Sequence, residues 1–406
     1  MEIRGVRESE LREMIDLQCA IHNPDGHQRY HQYIHGDSSY RLDQTRVVVV
    51  DDRIVATMRI WDREMRVGST PLRMAGVGGV GTHPDHRRQG YAAAMMRDAA
   101  DWFRSAGYQM GLLFTEIPCQ YYARFGWAGV PVQGFAITPR RFTWPSAGGP
   151  GIEAYDDDRD LDQTARMYAA FNADQSGSIV RHRPHWDTAP ARLRDLLPTV
   201  VTRRDGELTG YMNYLIDGAE ANLLEVAYDR ADPAILQALV GHFARECEDA
   251  GVERIAGAIP HRHPVVELLL HATAGDLALL GQNAMMALAV DLRAIFHTLL
   301  PELQSRIAAA AAVPPAVALG MEVGDQRCTL ELDEDGRLHV AGPRPGAVPL
   351  PLPGGIFWRA LFGESDWDQL ETAFCALGGR IPPAASQLMR TLFPRREVIL
   401  WAPDHF

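Results

Sequence analysis

The chain contains no lysine: all 40 of its basic residues other than histidine are arginine, an absence that a GC-rich coding bias accounts for without any function. It also lacks a cysteine framework. The five cysteines, Cys19, Cys119, Cys247, Cys328 and Cys375, are scattered, odd in number and without a CxxC pair. That speaks against a disulfide scaffold and against a zinc site, and no metal of any kind is expected. No run of about 18 uninterrupted apolar residues occurs, and the opening Met1-Glu2-Ile3-Arg4 has no apolar signal core. A cytoplasmic protein without membrane contact is therefore expected. Positive charge is in short supply as well. A net charge of −12 works against binding nucleic acid and mildly favours a cationic substrate or partner.

What is present is a 406-residue chain of ordinary apolar content, enough for two or three domains with cores of their own. Residues 2–6 read as a strand and 8–21 as a helix with Leu11, Ile15 and Cys19 on one face. Residues 22–40, crowded with His, Tyr, Asp and Gly, break that pattern and are open to two readings, a substrate lid and a plain surface loop. Residues 45–50 and 54–61 flank Asp51-Asp52-Arg53 as a hairpin.

The rest is organised around residues 75–103. An apolar strand interrupted by Gly76, Gly78, Gly79 and Gly81 leads through His83-Pro84-Asp85-His86 to Arg87-Arg88-Gln89-Gly90-Tyr91-Ala92 and a helix. Glycine weakens a strand interior, so these glycines point to a bulge or to close approach of a ligand or another backbone. The helix expected over residues 89–105 buries Ala92, Met95, Met96, Ala99 and Phe103 and is capped by Gly107. Its first-turn N–H groups have no intrahelical partners. With Gly90 presenting no Cβ and Arg87 and Arg88 adding charge, they make a seat for a diphosphate.

Residues 110–115 form the next expected strand, followed by Cys119-Gln120-Tyr121-Tyr122-Ala123-Arg124-Phe125-Gly126-Trp127. The order of glycine-bearing strand, RxxGxA, helix, strand and YxRFGW resembles the GCN5-related N-acetyltransferases (GNAT) over the first 145 residues. The resemblance implies acetyl-CoA as acyl donor. It would be held by Val80, Gly81 and Thr82 of the strand and by Arg87, Arg88, Gln89, Gly90, Tyr91, Ala92 and Ala93 of the turn and helix. It also implies that the strand before RxxGxA splays from the strand at 110–115, with the pantetheine arm between them and a strand N–H polarising the thioester carbonyl. Tyr122 would protonate the departing thiolate, for which a phenol of pKa about 10 is suited. The competing reading makes Tyr122 a core aromatic, as Tyr121 is taken to be. Avoidance of self-modification by an amine-directed enzyme is then a second reading of the missing lysine.

Residues 136–150, with Pro139, Pro145, Gly148, Gly149 and Pro150, read as a domain junction. Beyond it the element order repeats: strand 151–155, helix 160–172, hairpin strands 199–204 and 208–215 about Asp205-Gly206, strand 223–228 and helix 233–250. The counterpart of the cofactor turn, Asp229-Arg230-Ala231-Asp232-Pro233, has carboxylates and no glycine, so this repeat is read as lacking a cofactor site. The acidic run at 156–162 is read as a helix cap and solvated face. After a strand at 285–291 come a helix at 292–311, a hairpin of 328–332 and 338–341 around Asp333-Glu334-Asp335-Gly336, and a proline-rich stretch at 343–353.

This tail resembles the sterol-carrier-like domain that closes the enhanced-intracellular-survival type acetyltransferases, and Arg166-Met167-Tyr168 and Ser176-Gly177-Ser178 are similar to that group too. The expected fold is α/β (α+β) in three parts: a catalytic GNAT domain at 1–145, a degenerate GNAT-like domain at 146–291 and a sterol-carrier-like domain at 292–406. The resemblance implies a symmetric homohexamer. It further implies that the free carboxylate of the terminal Phe406 reaches the active site as the base. An α-carboxyl of pKa about 3.3 to 3.7 is a feeble base in water, so it would act by orienting and desolvating the amine and taking its proton during attack, directly or through water. His405 stands where related enzymes carry an acidic residue that helps bind a cation, which leaves a preference for polyamines or aminoglycosides open; its own ring is a second candidate acceptor.

The function expected is direct transfer of an acetyl group to a primary amine of a small cationic molecule or a lysine side chain, without metal or covalent enzyme intermediate. A non-catalytic acyl-CoA sensor and a lipid or small-molecule carrier built on the last domain are the rivals.

Overall fold

The computed structural model describes residues 1–37, 39–143, 150–187, 199–282 and 285–406. Pro145, Gly148 and Gly149 of the expected junction lie outside them. In chain order the first elements are β1 (Glu2–Gly5), α1 (Leu11–His22), α2 (His27–His35), β2 (Thr45–Val50), β3 (Arg53–Val67), β4 (Thr70–Thr82), α3 (Tyr91–Ser105), β5 (Met110–Phe114), α4 (Gln120–Ala123) and β6 (Ala128–Gly129). Residues 22–40 are thus no plain loop. Tyr30, Tyr33 and Ile34 recur at helical spacing, and Ile34 is buried with Met14 and Ile15 of α1. The polar residues around them hid this short stripe.

Next come β7 (Val132–Thr138), β8 (Ile152–Ala154), α5 (Asp157–Phe171), α6 (Arg183–Asp187), β9 (Val200–Arg204), β10 (Glu207–Asp217), β11 (Glu220–Tyr228), α7 (Pro233–Asp249), β12 (Arg254–Gly257), α8 (Pro264–Thr273), β13 (Asp276–Gln282) and β14 (Met285–Ala289). Among the described residues, β1 to β5 form one sheet that continues through β14 to β6, and a second runs β13-β7-β12-β11-β10-β9-β8.

The sheets therefore cross the boundaries expected at 145 and 291. β7, placed with the first domain, pairs with β12 and β13 of the second sheet. β14, placed with the second, sits antiparallel between β5 and β6 of the first. All five residues of β14 are buried. A strand buried throughout takes an interior position with both edges paired, and its apolar run does not say in which sheet.

The remainder comprises α9 (Leu292–Ala308), β15 (Val317–Val323), β16 (Gln326–Leu332), β17 (Leu338–Ala341), β18 (Val348–Pro351), α10 (Gly354–Phe362), α11 (Trp367–Ala376) and α12 (Pro383–Leu392). Its sheet has the order β17-β16-β15-β18. Leu292, Ile295, Phe296 and Leu299 of α9 share one core with Met65, Leu72, Met74 and Met110 of the first sheet. The last residues then leave this region. Ile399 and Trp401 are buried in the core of the second sheet, where Ile399 N–H donates to Ser176 O at 2.9 Å and Trp401 Nε1 donates to Asn172 Oδ1 at 2.9 Å. No helix among the described residues is long and apolar enough to cross a membrane.

Candidate active site

The site begins with a register slip. β3 and β4 pair regularly from Val67↔Thr70 to Arg59↔Gly78, but the next pair is Thr57↔Gly81, so β4 carries one extra residue. Gly79 absorbs it at φ 58°, a conformation that suits glycine. Gln18 of α1 fixes the bulge by donating from Nε2 to Gly79 O at 2.8 Å. On the other edge, the parallel pairing of β4 with β5 runs from Met74↔Met110 to Val77↔Leu113 and stops. Beyond it the two strands part, and residues 78–82 have no strand neighbour on that side among the described residues. This is the splay that the resemblance implied. Gly81 and Thr82 pair with Thr57 and Ala56 on their other side, so Val80, Gly81 and Thr82 face the gap with one edge only.

Past Thr82 the chain turns through Arg88 at φ 63° and Gly90 at φ 84° into α3. Gly90 is the cap and offers no side-chain hydrogen bond, so the first-turn N–H groups remain available. A Cβ at Gly90 would meet nothing within 4 Å, which marks an open cradle in front of those donors. Arg87, Arg88 and Gln89 are exposed around it; Arg87 Nε donates to Thr82 O at 3.3 Å and Tyr91 OH donates to Gln89 Oε1 at 2.9 Å. Tyr91, Ala92 and Ala93 form the first turn itself. These residues fit a diphosphate. The second sheet shows the opposite arrangement. At the start of α7, Asp232 accepts Ala234 N–H at 3.0 Å and contacts Arg204, and Pro233 has no N–H to give. A side-chain carboxylate occupies the position an anion would need.

The splay opens into a cavity of about 610 Å³ whose lining includes Gly78, Gly79, Val80, Trp61, Tyr122, His405 and Phe406. The chain terminus, roughly as far in sequence from α3 as it could be, is part of its lining. Phe406 stacks on Trp61 with ring centroids 5.4 Å apart and meets Phe114 edge-on at 5.3 Å. A Cβ at Gly76 would come within 2.6 Å of the Phe406 ring, so glycine is what admits the ring there. A Cβ at Gly78 would lie 3.3 Å from the terminal carboxyl carbon, which places that group against β4 just ahead of the bulge. Tyr122, in α4, is 8% exposed, and burial, with a smaller contribution from Tyr121, pushes its phenol up to about 12. Tyr121 packs edge-on to Tyr122 at 5.0 Å, with Arg124 over its ring at 4.2 Å. The His405 ring does not turn outward but stacks on Phe114 at 4.3 Å.

Gln18 and Trp61 escaped sequence reasoning, whereas α2 lies in the stretch 22–40 for which a substrate lid was one of the two readings. α2 closes one side with Arg29, Tyr30, Tyr33 and Ile34, Arg29 Nε donating to Tyr33 OH at 2.7 Å and Tyr33 meeting Trp61 edge-on at 5.9 Å. Trp61 could have been suspected as a large aromatic ending an expected strand. Gln18 carries no signal at all, being a polar residue on an otherwise ordinary amphipathic helix.

A strand bulged at glycine and parting from its parallel neighbour beside an uncapped helix start is the arrangement that the acetyltransferase resemblance implied. Residues 2–130 match the family model described as acetyltransferase (GNAT) domain, so this part of the chain is similar to that family. An uncharacterized N-acetyltransferase of Streptomyces avermitilis is 29% identical over 190 residues, which are 42% of this chain and 46% of that protein, less than half its length. A GCN5-related N-acetyltransferase from Anabaena variabilis has the same fold over 100% of both chains, with a TM-score of 0.75 at 14% identity. Eis1 from Mycobacterium abscessus does likewise, with a TM-score of 0.69 at 17% identity over 100% of both chains.

Proposed function

We propose that the chain is an acetyl-CoA-dependent N-acetyltransferase that moves an acetyl group directly to a primary amine, on a small molecule or a lysine side chain. The observation that carries this is the meeting of Tyr122 and the terminal Phe406 in one cavity at the parting of β4 and β5. Acetyl-CoA supplies the activated acetyl thioester. Arg87, Arg88 and the N–H groups of residues 89–93 hold its phosphates, and the free edge of β4 at Val80, Gly81 and Thr82 holds the pantetheine arm and polarises the carbonyl. The Phe406 carboxylate orients the amine and takes its proton as the nitrogen attacks. Tyr122, kept protonated by burial, gives its proton to the leaving sulfur and recovers one from solvent.

The enhanced-intracellular-survival subtype, the sterol-carrier-like character of the tail, hexameric assembly and cytoplasmic location belong to the same reading and rest on the resemblance of sequence. The test is a protein extended beyond Phe406. It should bind acetyl-CoA as before and release no CoA with any of a panel of aminoglycosides, polyamines, arylamines and lysine peptides that the native chain acetylates. Full turnover by the extended chain would sink the carboxylate assignment.

A further inference from the structure

The terminal residues are gripped from outside the first sheet. Arg181 follows a β-bridge from Met65 to Ile179, and 1% of its side chain is exposed. It forks between two carboxylates. Its Nη1 and Nη2 donate to Glu225 Oε1 and Oε2 at 3.0 and 2.5 Å, and its Nε and Nη2 donate to Asp404 Oδ1 and Oδ2 at 2.8 and 2.9 Å. Glu225, on β11, is fully buried and also accepts from Tyr211 OH at 2.5 Å. Tyr168 OH donates to Ile179 O at 2.8 Å and lies 3.2 Å from Asp404 Oδ2, while the Arg181 guanidinium lies over the Tyr168 ring at 3.9 Å.

The cluster continues into the first sheet. Arg63 on β3 lies 3.8 Å from Asp37, which also pairs with Arg59 at 3.3 Å; desolvation lowers the Arg63 pKa, and Asp37 and then Asp404 oppose that by favouring its charged form. The charges of Asp37, Asp404 and Glu225 thus balance those of Arg59, Arg63 and Arg181. Burying charges in this way is a poor route to stability, because an apolar packing of the same volume avoids the desolvation. A bidentate, fully buried guanidinium does supply direction. What it directs lies two residues on: past Asp404, His405 stacks on Phe114 and Phe406 on Trp61. A chain terminus without such an anchor frays.

We propose that Arg181 and Glu225 are positioning residues, through which the second sheet aims the terminal carboxylate of Phe406 at the acceptor amine by way of Asp404. This rests on the reading of that carboxylate as the base, and gives the repeat without a cofactor seat a part in the chemistry. The test uses the full chain with Arg181→Met and Glu225→Leu combined, which removes one charge of each sign and leaves Asp404 balanced by the arginines of β3. With the amine that the native protein acetylates fastest, kcat should fall about 100-fold, the effect of a misplacement on the order of 1 Å, while KM for acetyl-CoA stays within about twofold. Arg181→Lys, which keeps the charge and loses the fork, should fall between. Hydrogen exchange, which needs no acceptor, should show residues 402–406 loosened and β4 still protected. An unchanged kcat with unchanged exchange at the terminus would overturn the proposal while a dead C-terminally extended protein kept the base assignment standing. Equal loss of acetyl-CoA binding and kcat would also overturn it, by showing a general structural role.

Discussion

At the scale of single residues, Tyr122 has the most exacting task under the proposed mechanism, since a proton donor must still hold its proton when the leaving group needs it. Burial raises its pKa to about 12 from the ordinary 10, so the phenol stays protonated across the neutral and mildly alkaline range. Tyr122→Phe removes the proton and little else; kcat should fall by about 10² or more, with acetyl-CoA affinity unchanged, as stopped-flow and equilibrium binding would show. The same shift has a stability side. Between pH 10 and 12 the unfolded chain has lost this proton and the folded one has not, so the contribution of Tyr122, intact below pH 10, declines as pH rises through that window.

At the scale of elements, α3 and α7 are the instructive pair, because both follow a strand and open a helix yet only one start can seat an anion. Gly90 leaves the donors of α3 free, whereas the Asp232 carboxylate takes the Ala234 N–H of α7 and Pro233 has none to give. Gly90→Ala should weaken acetyl-CoA binding about tenfold, since a non-glycine residue held at φ 84° is strained by roughly 1–2 kcal/mol and its methyl enters the cradle. Titration calorimetry against the native protein checks this. The contrast was legible in the sequence because a helix start is written in consecutive residues: Arg87 to Ala92 in one case, Asp229 to Pro233 in the other. α2 was not legible, its stripe of Tyr30, Tyr33 and Ile34 being too short to stand out among histidines. Nor was the grip on the terminus, since nothing near Asp404 announces Arg181 or Glu225, which lie far off in sequence. Phe406 was placed by resemblance, and Trp61, the ring it stacks on, was not.

At the scale of the whole molecule, two buried histidines tie its stability to pH. His263 caps α8 by accepting Val265 N–H on Nδ1, and burial pushes its pKa down to about 4; His185, buried near Arg63, is pushed down to about 3. Below the ordinary value near 6.5 the unfolded chain binds protons that the folded one refuses, so stability held above pH 6.5 is lost as pH falls. Urea denaturation should show up to about 2 kcal/mol lost per histidine between pH 6.5 and 5, and His185→Gln should flatten that slope.

The larger consequence of scale is that the expected domains are not independent units. A fragment of residues 1–145 keeps β7 without β12 and β13, and loses β14 from between β5 and β6. It would expose the edge of β5 and the apolar groups that Met285, Ala287 and the face of α9 cover. Unpaired edges of this kind associate with one another. The fragment should therefore be aggregated or molten, with helical circular dichroism and no sharp melting transition. Co-expression with residues 150–406 supplies β14, α9 and the terminal carboxylate, and should recover a soluble complex. A monomeric, cooperatively folding 1–145 fragment would mean that the exchanged strand is dispensable. Recovery of acetyl transfer in the complex, but not with a second piece lacking Phe406, would locate the dependence in the terminus as well as in the sheet.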